Sequence, residues 1–327
     1  MDVRRRQFVA TGAGLMLASS WGAPVIARNA APLLAVIDLD TPGARSAYKT
    51  FVAVIERRFA SARVTPQLRF IAAESELNDK NTQALGDALR PVGANIVLAF
   101  NTGFAMMLLR LGIRTPSLFF SLTDPVSAGL TDSLTRPNKG MTGFTLGAAS
   151  TLKRREMLVR LAPRCRIMGL LSSTAYFGEG QRRADSPVVF PGIEIRKFNC
   201  DSSEQLSALL KSAPARAVDA WDIEYAPFPF RYPEETVRLF DTLRRPVMYP
   251  RMKHVQLGGM AAYEPKIEEA DDALVSQVAS LLAGVPIENI PIVQATRYSF
   301  GLNLKACRRV GIEPPKSLIK IADVVLE

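Results

Sequence analysis

The chain has few of the residues on which hydrolytic and metal chemistry depend, with one histidine and three cysteines among 327 residues. A catalytic triad would have to use His254, and no Gly-x-Ser-x-Gly segment supplies a nucleophile for it. Cys165, Cys200 and Cys307 form neither a CxxC pair nor a zinc-ligand spacing with His254. One disulfide between two of these cysteines stays open, although their separations are typical of buried thiols. We therefore expect no catalytic residues, no metal and no cofactor.

Long apolar runs are also missing after the first thirty residues, so no later segment reaches the roughly 20 residues that span a bilayer. The charge balance is 41 Lys and Arg against 31 Asp and Glu. A basic surplus can indicate a nucleic-acid partner, but these cations occur as scattered pairs such as Arg57-Arg58 and Arg244-Arg245. We interpret them as solvated surface and expect no nucleic acid.

The first residues have the pattern of an export signal. A cluster of arginines, Arg4 to Arg6, precedes a short apolar stretch and then the small-residue pattern Val25-x-Ala27. Two arginines followed two positions later by an apolar residue, as in Arg5-Arg6-Gln7-Phe8-Val9, also resemble the twin-arginine signal. We expect residues 1–27 to be a signal peptide cleaved near Ala27 and the mature protein to work in the periplasm.

The rest of the chain alternates strand-like and helix-like segments. Leu33 to Asp38 is a continuous apolar run of strand length, and the following apolar residues recur at helical spacing. The same alternation continues to Leu122 and begins again at Met141, with no low-complexity linker between the two series. This pattern predicts an α/β fold of two doubly wound lobes, each with a parallel sheet, joined by short crossings. The last stretch, Gly258 to Glu327, is expected to hold a strand, a long helix from about Ile267 to Leu282, a segment from Ile290 to Ser299 and a final helix-like tail.

Ligands of such folds bind beyond the carboxyl ends of parallel strands, where loops diverge and helices begin. The loops after the predicted strands are rich in hydroxyls and carboxylates, which suits a polar solute. The candidate ligand-binding residues are Asp40, Thr41, Asn101, Thr102, Ser121, Thr123, Asp124, Ser173, Thr174, Asp222, Tyr225, Tyr249 and Tyr263.

Each candidate has a functional and a structural interpretation. Asp124 in Thr-Asp-Pro either holds a substrate ammonium or caps the following turn. The hydroxyl and amide residues from Asn101 to Thr123 either donate to a substrate carboxylate or serve as helix caps. Asp222 is a candidate for a cation or a polyhydroxyl solute, and the tyrosines either stack on a flat ligand or belong to the core.

Ordered motifs at both ends of the chain resemble one bacterial family. They are Ser121-Leu-Thr-Asp-Pro-Val-Ser-Ala-Gly-Leu130, Leu134-Thr-Arg-Pro137, Met141-Thr-Gly143, Gly258-Gly-Met260 to Tyr263, Ile290-Pro-Ile-Val-Gln294, Asn303-Leu-Lys305, Gly311-Ile-Glu-Pro-Pro315 and Ala322-Asp323. In their order and spacing they are similar to the ABC-transporter substrate-binding proteins of the tryptophan/tyrosine uptake type. The first loop departs from this family because it carries two acids, Asp38 and Asp40, where many members have Ser, Gly and Pro.

The resemblance implies a type I periplasmic-binding fold, two Rossmann-like lobes with a three-crossing hinge, and no catalytic role. It suggests one lobe from residues 32–146 and about 262–289, and a second from residues 147–261 and about 290–327. The expected ligand is a small polar molecule, with an amino acid or related aromatic compound as the default, and the expected partner of the monomer is an ABC permease in the inner membrane. Two alternatives stay open: a ligand-sensing module for a membrane receptor kinase and an exported α/β enzyme.

Overall fold

A computed structural model describes residues 31–62, 64–74, 76–172, 190–224, 227–266 and 268–327. Three predicted site residues, Ser173, Thr174 and Tyr225, lie outside the described residues, as does the predicted signal peptide. Within the described ranges no helix combines the length and the apolar character needed to cross a membrane.

The first half of the chain alternates strands and helices, as its sequence pattern predicts. In chain order the elements are β1 (Leu33–Asp38), α1 (Pro42–Phe59), β2 (Gln67–Ala72), α2 (Asp79–Leu89), a 3₁₀ turn (Arg90–Val92), β3 (Ile96–Ala99), α3 (Thr102–Arg110), β4 (Ser117–Ser121), β5 (Met141–Thr145) and α4 (Gly147–Leu161).

The second half continues the alternation but ends differently from the expectation. Its elements are β6 (Ile167–Ser172), β7 (Glu194–Asn199), α5 (Ser203–Lys211), α6 (Ala213–Arg216), β8 (Ala220–Ile223), α7 (Pro227–Arg231), α8 (Pro233–Asp241), β9 (Val247–Tyr249), α9 (Met252–Gln256), β10 (Ala261–Pro265), α10 (Glu268–Leu282), a 3₁₀ turn (Ile287–Asn289), β11 (Val293–Gln294), β12 (Tyr298–Asn303), α11 (Leu304–Arg309), α12 (Lys316–Ile321) and β13 (Val324–Leu326).

The first sheet is parallel throughout, in the order β11-β5-β4-β3-β1-β2. Its central strands are apolar and buried, because helices cover both faces. Val36 and Phe120 pack with residues of α1 and α10 on one face. Ile37 and Phe119 pack with residues of α2 and α3 on the other. The helices packed on both faces hold the strands in place, and so they position the loops that follow the strands.

The second sheet has the order β13-β12-β10-β9-β8-β6-β7, and the pair β10–β12 is antiparallel. The tail that was expected to be helix-like holds the helices α11 and α12, but it also contains strand β12 before them and strand β13 after them, which were not predicted. A glycine explains why β12 fits there: a Cβ atom at Gly301 would lie 2.2 Å from the sulfur of Met252. The end of the chain therefore adds two strands to the edge of the second sheet, β12 before the short helices α11 and α12 and β13 after them.

The chain passes between the two sheets three times. It leaves the first sheet after β5, returns after β10, and leaves again after β11. Sheet membership thus changes after Thr145, after Pro265 and after Gln294. The crossings are tied together, because Ala295 N donates to Thr145 O at 2.9 Å and Lys266 N donates to Arg297 O at 2.9 Å.

One carboxylate fastens the third crossing to the start of α10. Glu269 Oε2 accepts hydrogen bonds from the backbone N–H groups of Thr296 and Arg297, each at 3.0 Å, and Glu269 Oε1 accepts from Thr296 Oγ1. Burial disfavours the ionised form of Glu269, but the bonds from Thr296 and Arg297 outweigh it and lower its pKa. The ionised side chain therefore limits how far residues 296–297 can move from α10.

Replacing Glu269 should loosen this crossing without unfolding the protein. In Glu269→Ala the two backbone N–H groups lose a charged acceptor, and bonds of this kind contribute about 1.5–3 kcal/mol. We expect amide hydrogen exchange at Thr296 and Arg297 to accelerate by about tenfold or more. Glu268→Ala, at the exposed neighbouring position, is the control. Equal exchange rates in the two variants would show that the Glu269 side chain does not hold the crossing.

Candidate functional site

The carboxyl ends of the strands in both sheets lie at the crossings. Strand β5 leads straight into the first crossing, β10 into the second and β11 into the third. Strand β12 begins beside the end of β10, because Pro265 pairs with Tyr298. The two carboxyl edges are therefore joined by the three crossings, and the loops at these edges line the region between the lobes. In doubly wound sheets this is where ligands bind.

Three predicted residues of the first lobe form a hydroxyl cluster at this edge. Thr102 Oγ1 lies 3.1 Å from Ser121 Oγ and 3.5 Å from Thr123 Oγ1. Thr102 also accepts a bond from Leu122 N at 3.2 Å, and Ser121 Oγ donates to Thr123 O at 2.7 Å. Thr102 and Ser121 are fully buried, whereas Thr123 is partly exposed. The cluster joins the loops after β3 and β4 into one polar surface.

The start of α3 adds backbone donors beside this cluster. Asn101 is the N-cap, and its side chain accepts a bond from Phe104 N at 2.9 Å. The cap leaves further N–H groups of the first turn without a partner inside the helix. Since these groups carry the positive end of the helix dipole, they suit a carboxylate or another anion.

Asp124 takes the structural role that the sequence left open. Its Oδ2 atom accepts bonds from Ser127 N at 2.9 Å and from Ser127 Oγ at 2.6 Å. These bonds fix the turn that contains Pro125 and hold the loop after β4 in place. The carboxylate is therefore already engaged within its own turn.

The loop after β1 carries two acids in different environments. Asp40 is exposed and pairs with Arg45 at 2.6 Å, and this bond lowers the pKa of Asp40. Thr41 caps α1 by accepting a bond from Ala44 N at 3.1 Å. Asp38, at the end of β1, is mostly buried, and burial raises its pKa to about 6 although Leu39 N donates to it at 2.7 Å. The sequence singled out this loop for its two acids, but only Asp40 and Thr41 were among the candidate ligand-binding residues.

In the second lobe, Asp222 lies in a buried ion network. Two arginines of α4 reach it: Arg154 through two bonds, one of them 3.2 Å, and Arg155 Nε at 2.9 Å. Arg155 also donates to Glu224 at 3.0 Å. Arg154 and Asp222 are fully buried. Both carboxylate oxygens of Asp222 accept hydrogen bonds from these two guanidinium groups. Asp222 therefore joins α4 to β8, and its carboxylate is already engaged within the lobe.

The edge of the second lobe presents an aromatic and charged surface, in which the sequence analysis missed Arg251 and Glu264. The guanidinium of Arg251 lies 4.3 Å from the centre of the Phe230 ring, which is 41% exposed. Arg251 Nε also pairs with Glu264 at 3.2 Å, and Glu264 accepts a bond from Met252 N at 2.7 Å. Residues from the ends of β9 and β10 thus hold Arg251 and Phe230 together, in a form suited to a flat or anionic group.

The two candidate tyrosines of this lobe lie in different surroundings. Tyr249 is buried between Phe240 and His254, and burial raises its pKa. Tyr263 is partly exposed and stacks on Tyr298 with ring centres 5.0 Å apart; burial raises its pKa to about 12. Tyr249 is therefore a core residue, whereas the Tyr263–Tyr298 pair lies next to the second and third crossings.

The histidine and the cysteines have structural environments. His254 is buried, its two ring nitrogens face the carbonyl oxygens of Arg251 and Pro229, and burial lowers its pKa to about 4. Cys165, Cys200 and Cys307 are buried free thiols whose pKa burial raises to about 11. Among the described residues no group of three or more His, Cys, Asp and Glu side chains is arranged to hold a metal ion.

Two doubly wound lobes, three crossings and polar carboxyl edges define a two-lobed binding protein of the type I periplasmic fold. The model of the family described as ABC transporter substrate binding protein matches residues 68–326, and the chain belongs to this family. It is therefore the substrate-binding component of an ABC transporter. The family comprises solute-binding proteins, which bind small ligands outside the cytoplasm and work with a membrane permease. It is not a class of enzymes.

Solved structures agree with this fold. The ABC domain from Streptococcus pneumonia in complex with L-Trp is 17% identical, with a TM-score of 0.71 over 90% of this chain and 99% of that chain. A conserved domain protein from Vibrio cholerae is 16% identical, with a TM-score of 0.73 and the same coverages. A ligand-free, open substrate binding protein with adhesive properties from Clostridium difficile is 15% identical, with a TM-score of 0.61 over 91% of this chain and 99% of that chain. A comparison with curated protein sequences found no match.

The buried ion network should be essential for stability. In Asp222→Asn, Arg154 and Arg155 would keep their charges without the carboxylate that both contact, and breaking a buried pair in this way costs about 3–5 kcal/mol. We expect the free energy of unfolding in urea to fall by that amount. The matched control is Asp241→Asn, because Asp241 pairs with Arg309 at 3.0 Å on the surface, where such pairs contribute about 1 kcal/mol or less. Equal losses in the two variants would contradict a central role of Asp222.

Proposed function

We propose that the protein captures an amino acid or a related aromatic compound between its lobes and delivers it to an ABC permease in the inner membrane. The observation that carries this proposal is the hydroxyl cluster of Thr102, Ser121 and Thr123 beside the first turn of α3. Hydroxyl and backbone N–H donors in one place form a site for a carboxylate, which every amino acid has.

The opposite edge supplies groups for the rest of such a ligand. The exposed Phe230 ring and the Arg251 guanidinium above it offer a stacking surface to an aromatic side chain. Only one nitrogen of Arg251, Nε, is used in its pair with Glu264. The L-Trp in the Streptococcus pneumonia structure supports an aromatic amino acid, at 17% identity. Of the candidate residues, we retain Thr102, Ser121, Thr123 and Tyr263 as ligand-binding residues and Asn101 as the cap that positions α3.

Capture requires no chemistry, only a ligand that touches both lobes. A ligand that contacts both edges binds the closed form more tightly than the open form and so shifts the population towards closure. A shift from 1:99 to 99:1 needs about 5.5 kcal/mol of differential affinity. Since a micromolar Kd corresponds to about 8 kcal/mol, a single ligand can supply that preference. The closed monomer is then the form that the permease recognises.

The hydroxyl cluster can be tested by ligand binding. We expect at least one of L-tryptophan, L-tyrosine and L-phenylalanine to raise the Tm of the protein. Thr102→Val keeps the shape of the side chain but removes its hydroxyl, and losing a hydrogen bond to a charged group should weaken binding by about tenfold to a hundredfold. Isothermal titration measures the Kd.

The control is Thr142→Val, because Thr142 is equally buried in the same sheet but donates to Ile290 O, away from the carboxyl edge. This variant should lose some stability and keep its affinity. If Thr102→Val bound as tightly as Thr142→Val, the cluster would not be the carboxylate site. If none of the three amino acids bound to the unaltered protein, an aromatic amino acid would not be its ligand.

We also propose that residues 1–27 direct export to the periplasm by the twin-arginine route. Arg5→Lys together with Arg6→Lys should keep the precursor in the cytoplasm, because this route reads the guanidinium pair itself and not its charge. Arg4→Lys, which lies outside the pair, is the control and should be exported. Mass spectrometry of the periplasmic protein should show a chain that begins at Arg28. Export of the double variant would rule out the twin-arginine route, and an uncleaved periplasmic chain would rule out the proposed processing.

A further inference from the structure

Asp38 differs from the other carboxylates at the two carboxyl edges. Asp40 pairs with Arg45, Asp222 and Glu224 pair with arginines of α4, and Glu264 pairs with Arg251. Asp124 accepts two bonds from Ser127. Among the described residues Asp38 takes part in no ion pair, and Leu39 N donates to its Oδ1 atom. Within the described part of the chain, Asp38 is therefore a largely buried edge carboxylate with neither a cationic partner nor a hydrogen bond from a side chain.

The surroundings of Asp38 are largely apolar, which makes an unpaired negative charge there energetically unfavourable. Strand β1 lies in the interior of the sheet, between β3 and β2. Side chains alternate along a strand, so Asp38 lies on the same face as Leu34 and Val36, which belong to the apolar core. Burial in this position raises the pKa of Asp38 to about 6, which reflects a carboxylate with reduced access to water. A cation brought by a ligand would restore the lost solvation.

The strand register also places an aromatic residue beside Asp38. Val36 pairs with Leu98 in the parallel register, so Phe100, two residues further on, lies opposite Asp38. The backbone continues this pairing, because Phe100 N donates to Ile37 O at 2.9 Å. Phe100 packs against the same core cluster as Val36 and is partly exposed. A carboxylate next to an aromatic ring is an environment that favours an organic ammonium group.

We propose that Asp38 binds the ammonium group of the solute, so that the ligand class is amino acids rather than deaminated aromatic acids, sugars or nucleosides. This inference rests on the proposed function, because it adds an ammonium site to the carboxylate site at Thr102, Ser121 and Thr123. Asp38 ends β1, and the carboxylate site lies at the ends of β3 and β4, which are the next two strands in the sheet. An ammonium group near Asp38 and a carboxylate near α3 match the two charges of an amino acid.

The site would reject a ligand that lacks the amine. Without an ammonium group, closure of the lobes would bury the Asp38 charge with no partner, and sites built for a polar group discriminate strongly against analogues that lack it. A ligand with an amine but no carboxylate would satisfy Asp38 and leave the donors at α3 unused. Selectivity for the zwitterion therefore follows from two separate groups on the first lobe.

Matched ligand pairs test this assignment. The probes are L-tryptophan with indole-3-propionate, L-tyrosine with 3-(4-hydroxyphenyl)propionate, and L-phenylalanine with 3-phenylpropionate, titrated calorimetrically at pH 7.5. We expect the unaltered protein to prefer the amino member of at least one pair by about a hundredfold. Asp38→Asn should weaken binding of that amino acid by about tenfold or more and reduce the preference for the amine. The control Asp40→Asn removes the exposed acid of the same loop and should change neither value.

The outcomes separate this inference from the proposed function. Equal binding of both members of a pair by the unaltered protein would exclude an ammonium site while leaving the carboxylate site intact. An unchanged Kd in folded Asp38→Asn would also exclude Asp38. If that variant failed to fold, the comparison of paired ligands on the unaltered protein would still decide whether an ammonium is recognised, and Asp38→Ser would replace it to assign the residue. If no probe bound, the proposed ligand class and the Asp38 site would both be overturned.

Discussion

The arrangement of this protein depends on one constraint: a parallel strand can reach its neighbour only by a crossover that leaves from its carboxyl end. The loops that begin helices α1 and α3 therefore gather at one edge of the first sheet. Three crossings start from the carboxyl ends of β5, β10 and β11 and bring the corresponding edge of the second sheet to the same region. Polar side chains at strand ends thus converge even where they are far apart in the sequence.

The charges near these edges fall into two groups with different effects. Arg154, Arg155 and Asp222 compensate one another inside the second lobe and attach helix α4, which follows the first crossing, to the central strand β8. Glu269 has a similar role at the third crossing, where it holds two backbone N–H groups. Asp38 has no such compensation within the described residues. The first group connects elements within the protein, whereas the charge of Asp38 is the one that we propose a ligand neutralises.

The sequence predicted much of the fold and part of the candidate site. Continuous apolar runs such as Leu33 to Asp38 correctly indicated buried parallel strands, and the positions just after them led to Thr102, Ser121 and Thr123, which lie together in the structure. The prediction was less complete at the chain end, where the helix-like tail holds α11 and α12 but the flanking strands β12 and β13 were not predicted. A short strand that contains Gly301 has little periodicity of its own, and its stability comes from pairing with β10 and from contact with Met252.

The sequence by itself determined the alternating α/β architecture and which loops lie at the carboxyl edges, because apolar periodicity is a local property of each segment and the loop after a strand always leaves from its carboxyl end. Only the tertiary structure decided the state of each carboxylate in those loops. Arg154 and Asp222 are 68 residues apart, so nothing local shows that they pair. The same holds for Arg251 and Phe230, which meet where His254 of α9 contacts Pro229 O of α7. Burial and pairing depend on neighbours that are distant in the chain, and so they decide whether an acid is a cap, half of an ion pair or a group left for a ligand.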